Sequence, residues 1–265
     1  MKWTTALVGL VVLAATLTVS AEESGTRLMP APAHRLSTES LQKGARNFVN
    51  YCLTCHSAQY MRYNRLTDLG LDEQEIRDNL MFATDKLGST MTVAMPKADA
   101  VAWLGSAPSD LSVEARVRGK DWLYSYLLGF YRDEKTVTGW NNLVFHNVSM
   151  PHVLWKLSGV QRLVETEYED EEKAEAAVIA AKGLAMAERI NDHKFMVKTL
   201  AQELPGTMDP VEYKAFVADL TNFLDYIAEP TRNERINIGI GVLIYLGLLL
   251  VFAYALKRAY WKDVH

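Results

Sequence analysis

The sequence predicts a mainly α fold with irregular loops, followed by one C-terminal transmembrane helix. Apolar residues recur at helical spacing over Thr38–Tyr51 and again over residues 216–227. Residues 236–256 then form an uncharged apolar run, which as a helix reaches about 31 Å and matches the roughly 30 Å hydrocarbon core of a bilayer. The intervening sequence is less periodic, which indicates short helices and loops between these three segments.

The helix that carries the apolar residues between 216 and 227 has a clear start and end in the sequence. Asp209 is expected to cap it, Pro210 takes the first helical position, and Glu212 completes a capping box. Pro230 ends this helix just before the apolar run. Elsewhere the patterns predict a short helix over residues 72–83, partly helical structure over 110–131 and an irregular loop over 139–152.

The N-terminus has the pattern of an export signal. Lys2 precedes an apolar run over about residues 6–17, and the small residues Ser20 and Ala21 follow. The run is short for a membrane span and is diluted by threonines, so we expect cleavage after Ala21. The predicted organisation is a signal peptide at 1–21, one exported domain at 22–235, a membrane helix at 236–256 and a tail at 257–265.

The charges beside the predicted span indicate its direction. Lys257, Arg258 and Lys262 follow the span, whereas the arginines before it are interspersed with glutamates. This modest basic excess favours a cytoplasmic C-terminus. We therefore expect a single-pass protein of a bacterial inner membrane with its large domain in the periplasm.

The overall charge argues against a nucleic-acid partner, since the formal net charge is -4 at pH 7. One run, residues 165–175, holds seven acids and a single lysine, Lys173. Together with the alanine-rich residues 174–190, it predicts a solvated helix with an acidic start. The alternative is a docking surface for a basic partner.

Cys52-Leu53-Thr54-Cys55-His56 is the most informative motif of the chain. The pattern C-x-x-C-H is typical of c-type haem attachment: each thiol forms a thioether with one vinyl group, and the histidine becomes the proximal iron ligand. A redox disulfide or half a zinc site also uses C-x-x-C, but the chain has no third cysteine for a zinc site. We therefore predict one covalent haem held by Cys52, Cys55 and His56.

The second axial ligand of the iron is open from spacing alone. A methionine there would favour ferrous iron and raise the potential, whereas a histidine would lower it. Of ten methionines, Met95 and Met150 both stand before a proline in predicted loops, which suits a strap over a haem face. His146 and His152 are further alternatives.

Several blocks, in order, resemble the cytochrome c1 family, the haem-bearing subunits of ubiquinol–cytochrome c oxidoreductase. After the C-x-x-C-H motif, residues 107–112 read Ala-Pro-Ser-Asp-Leu-Ser and residues 121–131 read Asp-Trp-Leu-Tyr-Ser-Tyr-Leu-Leu-Gly-Phe-Tyr. Residues 145–151 are similar to the family's ligand loop, in which a methionine stands shortly before a proline. Residues 223–230, Phe-Leu-Asp-Tyr-Ile-Ala-Glu-Pro, lead into the span as they do in the family.

The resemblance implies a cytochrome c-like haem domain in which Met150 is the axial ligand. It implies Arg118 as the partner of a haem propionate, with Arg116 as the alternative, because a guanidinium can hold a carboxylate by two parallel bonds. The sequence departs from the family in two places. A single proline precedes Ser109 where the family often has two, and residues 163–204 match no family region.

The implied function is one-electron transfer from a Rieske iron–sulfur protein to a c-type cytochrome, as the cytochrome c1 subunit of a respiratory bc1 complex. Such a chain has no catalytic residue of its own, because it orients and tunes the haem as one subunit of a quinol–cytochrome c reductase. Cytochrome b, the Rieske protein, membrane lipid and a dimeric complex are the implied partners. The alternatives are another membrane-anchored c-type cytochrome, either an oxidase subunit or an electron shuttle, and a haem peroxidase with an open iron position.

Overall fold

The computed structural model describes residues 26–32, 37–93, 95–181, 183–191 and 193–262. The predicted signal peptide at 1–21 lies outside the described residues, as do residues 263–265. About half of the described residues are helical, and eight short or medium strands accompany the helices. The expectation of a mainly α fold is therefore only partly correct.

Helices occur throughout the described part of the chain, with strands between them. They are α1 Thr38–Tyr51, α2 Glu73–Leu80, α3 Lys97–Leu104, α4 Glu114–Arg118, α5 Lys120–Leu128, α6 Trp155–Ser158, α7 Glu171–Ala180, α8 Pro210–Ala228 and α9 Arg232–Tyr260, with a 3-10 helix at Tyr63–Leu69. The strands are β1 Thr26–Arg27, β2 Ala58–Arg62, β3 Thr90–Met91, β4 Phe130–Arg132, β5 Trp140–Asn142, β6 Gly159–Tyr168, β7 Ala185–Asn191 and β8 Lys194–Pro205.

Helices α1 and α8 form the centre of the main core. The prediction for α1 is confirmed from Thr38 to Tyr51, with the side chain of Ser37 accepting a hydrogen bond from the Ser40 amide at its start. In α8 the predicted capping box is present, because Asp209 accepts from the Glu212 amide and Glu212 accepts from the Asp209 amide. The predicted stripe of α8 is fully buried, namely Phe216, Val217, Leu220, Phe223, Leu224 and Ile227.

The two helices approach each other closely at Gly44. A Cβ atom added there would overlap the backbone carbonyl oxygen of Asp219 and lie 2.6 Å from Cβ of Phe223. Beside this crossing the Ser40 hydroxyl donates to the Asp219 carboxylate at 2.6 Å, and the Asn222 amide donates to Ser40 at 3.0 Å. Backbone contact and a buried polar network thus hold α1 and α8 together.

The main departure from the prediction is a four-stranded antiparallel sheet of order β1-β7-β8-β6. Its longest pairing runs from Gly159 opposite Pro205 to Tyr168 opposite Phe195. Helix α7 covers one face and closes a small second core of Ala174, Val178, Ala185, Phe195 and Val197.

The predicted helix over the acidic run and residues 174–190 is therefore wrong outside α7. Glu165 belongs to β6, and β7 begins at Ala185. The charges that suggested a solvated helix form cross-strand ion pairs, with Lys198 contacting both Glu165 and Glu188. Strand pairing and the second core outweigh the helix preference of this alanine-rich segment, because tertiary packing overrides local propensity. The predicted irregular loop at 139–152 likewise contains a short strand, β5, paired with β4.

Helix α9 contains the predicted span at 236–256. Among the described residues it is the one helix long and apolar enough to cross a membrane, and none of it is buried in the protein. Three residues, Glu229 to Thr231, separate it from α8. At this junction the Arg235 guanidinium donates to the Glu229 carboxylate at 2.5 Å, so a charged hydrogen bond spans the break around Pro230.

The close crossing at Gly44 generates a stability prediction. Gly44→Ala should lower the free energy of unfolding by about 1–3 kcal/mol, because the new methyl group has to push α1 and α8 apart. Denaturant unfolding of the detergent-solubilised chain, followed by tryptophan fluorescence, measures this change. Gly88→Ala is the matched control, since a Cβ atom there meets no atom within 4 Å. Equal stability of both variants would contradict the crossing described here.

Candidate functional site

The C-x-x-C-H motif lies in the turn that continues α1 past its C-terminal end. The Cys52 amide still donates to the Phe48 carbonyl at 2.8 Å. The amides of Cys55 and His56 both donate to the Cys52 carbonyl, at 3.0 and 2.8 Å. This tight turn follows directly from the helix and brings the two thiols and the imidazole of His56 into one wall of the site.

Both cysteines are free thiols rather than a disulfide. Burial raises the pKa of the Cys52 thiol to about 12 and also raises the pKa of Cys55. Within the part of the chain that the structure describes, no group of three or more His, Cys, Asp or Glu side chains is arranged to hold a metal ion. The structure thus contains Cys52 and Cys55 as thiols and not as a redox disulfide.

The imidazole of His56 is oriented by the backbone of a neighbouring loop. Its Nδ1 lies 2.7 Å from the carbonyl oxygen of Ser109. A carbonyl only accepts hydrogen bonds, so we assign the ring hydrogen to Nδ1, which leaves a lone pair on Nε2. Burial lowers the pKa of His56 and favours this neutral ring. A neutral imidazole whose other nitrogen donates to a carbonyl is the usual arrangement of a histidine that ligates a metal.

Two adjoining cavities share the walls formed by Cys52, His56 and Met150. The larger has a volume of about 370 Å³ and is lined mainly by apolar and aromatic side chains from α5, α8 and the loop before α6. The smaller, of about 100 Å³, adds Cys55 and Pro151 to the same three residues. The structure therefore brings together the three motif residues and Met150.

The other proposed axial ligands lie elsewhere. Met95 lines a third, more open cavity with Cys55, and His56 is not part of its lining. His146 is exposed, and His152 is buried with its Nε2 2.8 Å from the Ser158 hydroxyl. None of these three side chains lines either cavity beside His56.

Tyr126 is a site residue whose role the sequence did not reveal. Its hydroxyl donates to the sulfur of Met150 at 3.4 Å, and its ring stacks on Trp122 with ring centres 5.0 Å apart. Both aromatic residues line the larger cavity from α5. The only local signal was their spacing of one helical turn, which is equally common in packing residues.

Two buried asparagines shape the loop that leads to Met150. The Asn142 side chain donates to the Tyr126 carbonyl at 2.8 Å and accepts from the amides of Val144 and Phe145 at 2.9 and 3.2 Å. The Asn141 side chain accepts from the Asn147 amide at 2.9 Å. A loop that the sequence could describe only as irregular is thus held by side-chain amides that replace regular backbone pairing.

The two candidate arginines occupy different positions. Arg118 lines the larger cavity, where its Nε lies 3.4 Å from Glu114 and its guanidinium carbon 4.9 Å from the ring centre of Trp122. Arg116 lines neither cavity. A hydrogen bond from Arg235 lowers the pKa of the Glu229 carboxyl, and the positive charge of Arg116 lowers it further. The charge of Arg116 is therefore close enough to the junction with α9 to affect Glu229.

Comparison with known proteins gives consistent results over nearly the whole chain. A family model described as the cytochrome C1 family matches residues 29–87 and 83–264. This match includes residues 163–204, so the expectation that they match no family region is wrong. The chain is 44% identical over 246 residues to cytochrome c1 of Allochromatium vinosum, covering 92% of this chain and 93% of that protein. It is 42% identical over 256 residues to a protein of Nitrosomonas europaea named ammonia monooxygenase gamma subunit, covering 97% of each. Cytochrome c1 of Rhodospirillum rubrum is 27% identical over 257 residues, 87% of this chain and 84% of that protein.

Proposed function

Because the chain belongs to the cytochrome c1 family, we propose that it carries single electrons from a Rieske iron–sulfur protein to a c-type cytochrome. Membership of the family implies a covalently bound c-type haem and electron transfer within a bc1 complex. The observation that carries the proposal for this chain is that Cys52, His56 and Met150 line both cavities at the end of α1.

The residues of the site fit a c-type haem. Cys52 and Cys55 are free thiols in one turn, as two thioether bonds require. His56 has a lone pair on Nε2, and the sulfur of Met150 supplies a neutral, soft ligand. When bound, the haem supplies an iron that alternates between the ferric and ferrous states.

The chain's own contribution is to fix the ligands and exclude water. Ser109 orients the ring of His56, and Tyr126 holds the sulfur of Met150 by a hydrogen bond. The apolar lining from α5 and α8 lowers the local dielectric, which disfavours the extra charge of ferric iron. A thioether ligand also favours the ferrous state, because it is neutral and soft, so we expect a comparatively high midpoint potential.

We assign the role of haem-propionate partner to Arg118 rather than Arg116. Arg118 lines the larger cavity, and Trp122 and Glu114 hold its guanidinium there. Its side chain is 37% exposed at the edge of that cavity, and its planar guanidinium can hold a carboxylate by two parallel hydrogen bonds. Arg116 lies outside both linings, so it is the weaker candidate for this role.

The family and helix α9 support a membrane-anchored single-pass protein. Its periplasmic orientation in a bacterial inner membrane is part of our proposal, and it rests on Lys257, Arg258 and Lys262 beyond the span. Cytochrome b, the Rieske protein, membrane lipid and the second half of a dimeric complex are the proposed neighbours.

The name of the Nitrosomonas europaea relative favours a second candidate function. In that alternative the chain is an anchored c-type cytochrome that serves a monooxygenase. A haem peroxidase is less well supported, because Met150 lines both cavities with His56 and would supply a second ligand to the iron of a bound haem.

Purification of the native complex in mild detergent distinguishes these functions. We expect this chain to elute with a b-type haem protein and an iron–sulfur protein, and quinol-dependent reduction of its haem should follow. Elution with a monooxygenase would favour the second candidate. If this chain elutes without partner proteins and its haem binds cyanide rapidly, the result would support an enzyme with an open iron position.

Covalent attachment depends on the two thiols. The double variant Cys52→Ala, Cys55→Ala should lose covalent haem, because both thioether bonds are removed. Haem staining on a denaturing gel measures the loss, with the single variants expected to show intermediate amounts. Full staining of the double variant would contradict the assignment.

Axial ligation by Met150 is tested by replacing it with a side chain of similar volume that cannot bind iron. Met150→Leu should lower the midpoint potential, by about 59 mV for each tenfold loss of preference for ferrous iron. Met95→Leu is the matched control and should leave the potential unchanged, since Met95 lies in a cavity that His56 does not line. If the potential instead fell only in the Met95 variant, the ligand assignment would pass to Met95.

A further inference from the structure

His152 lies two residues beyond Met150 and is a buried side chain of that loop. Only 3% of it is exposed, and its Nε2 lies 2.8 Å from the Ser158 hydroxyl. It lines neither cavity of the site. The side chain therefore points away from the cavities while its backbone, through Pro151, is joined directly to Met150.

Two aromatic rings hold the imidazole of His152. The ring stacks on Phe130 with centres 4.8 Å apart and planes 4° apart, and it meets the edge of Trp140 at 5.2 Å. Phe130 and Trp140 belong to the paired strands β4 and β5. Phe130 also packs at 5.1 Å against Tyr126, whose hydroxyl donates to the sulfur of Met150. One ring thus contacts both the residue that anchors the loop and the residue that bonds the sulfur.

The hydrogen bond of His152 connects the loop to the four-stranded sheet. The Ser158 hydroxyl lies 2.9 Å from the Gly159 carbonyl, which can only accept, so we assign the serine hydrogen to that bond and the donor role to Nε2 of His152. Ser158 immediately precedes β6, and the Gln202 side chain from β8 donates to its backbone carbonyl at 3.0 Å. The Gln161 side chain of β6 donates to the Phe130 carbonyl at 3.1 Å.

We propose that His152 is a positioning residue that fixes the placement of Met150 in the site, and that β6 and β8 support it through Ser158. The proposal rests on the proposed function, because it takes Met150 as an axial ligand. It also assigns a role to part of the segment 163–204, whose strand β8 carries Gln202. His152 itself is unsuited to ligation, since Nε2 is engaged by Ser158 and its ring is packed between Phe130 and Trp140.

The test uses the membrane-bound holoprotein and three variants. His152→Phe keeps an aromatic ring but removes the hydrogen bond, Ser158→Ala removes the partner of that bond, and His152→Gln keeps a donor without the ring. The readouts are the midpoint potential, the red charge-transfer band of methionine-ligated ferric haem and the rate of cyanide binding. His146→Gln is the matched control, because His146 is an exposed histidine of the same loop.

We expect His152→Phe and Ser158→Ala to retain covalent haem on a denaturing gel, since the thiols and His56 are untouched. Both should weaken the red band, lower the midpoint potential and accelerate cyanide binding by up to about tenfold, the equivalent of one net hydrogen bond. His152→Gln should recover part of each effect, and the control should match the parent.

Two outcomes separate the failure of this proposal from failure of the proposed function. If the His152 and Ser158 variants lose stability but keep the parent's potential, band and cyanide rate, His152 is an ordinary core residue and the proposal is overturned. If Met150→Leu also leaves the potential and band unchanged, the ligand assignment itself is wrong. Should His152→Phe fail to accumulate, Ser158→Ala alone decides, because it removes one oxygen atom and leaves both rings in place.

Discussion

Backbone contact between α1 and α8 at Gly44 is the constraint on which the rest of the structure depends. The C-terminal turn of α1 presents the thiols and His56, while Leu220 and Leu224 of α8 line the same cavity. The far end of α8 leads within three residues to the membrane helix. A single helix crossing therefore sets the cofactor-binding wall, part of its apolar lining and the direction of the anchor. A shift at this crossing would move all three together.

Elements with local signals could be predicted from the sequence, and elements defined by distant partners could not. Helix α1 and the start of α8 follow from apolar periodicity and from the cap at Asp209, which involve residues within a few positions of one another. The sheet formed by β6, β7 and β8 depends on pairs such as Glu165 with Lys198, which are far apart in sequence. Its charges concealed the strand pattern and suggested a solvated helix instead.

The candidate site divides in the same way. The motif from Cys52 to His56 was visible because attachment chemistry fixes the spacing of adjacent residues. Spacing alone did not distinguish Met150 from Met95; the family resemblance favoured Met150, and the fold places the two in different cavities. The hydrogen bond from Tyr126 to Met150 depends on a chain path that no local pattern encodes. The acidic run, residues 165–175, illustrates a related limit. Arg189 and two lysines pair with three of its glutamates, so the number of acidic residues overstates the negative electrostatic potential of this surface.

For the proposed function, the short junction around Pro230 has a consequence for how a partner protein finds this chain. Three residues and the bond between Glu229 and Arg235 leave little slack between the cofactor domain and the anchor. A domain on a long tether would tumble, and an incoming molecule would have to match it in every orientation. A short junction instead restricts the orientations that the domain can adopt relative to its anchor. In the proposed membrane-bound protein, this restriction would narrow the rotational search that limits association rates.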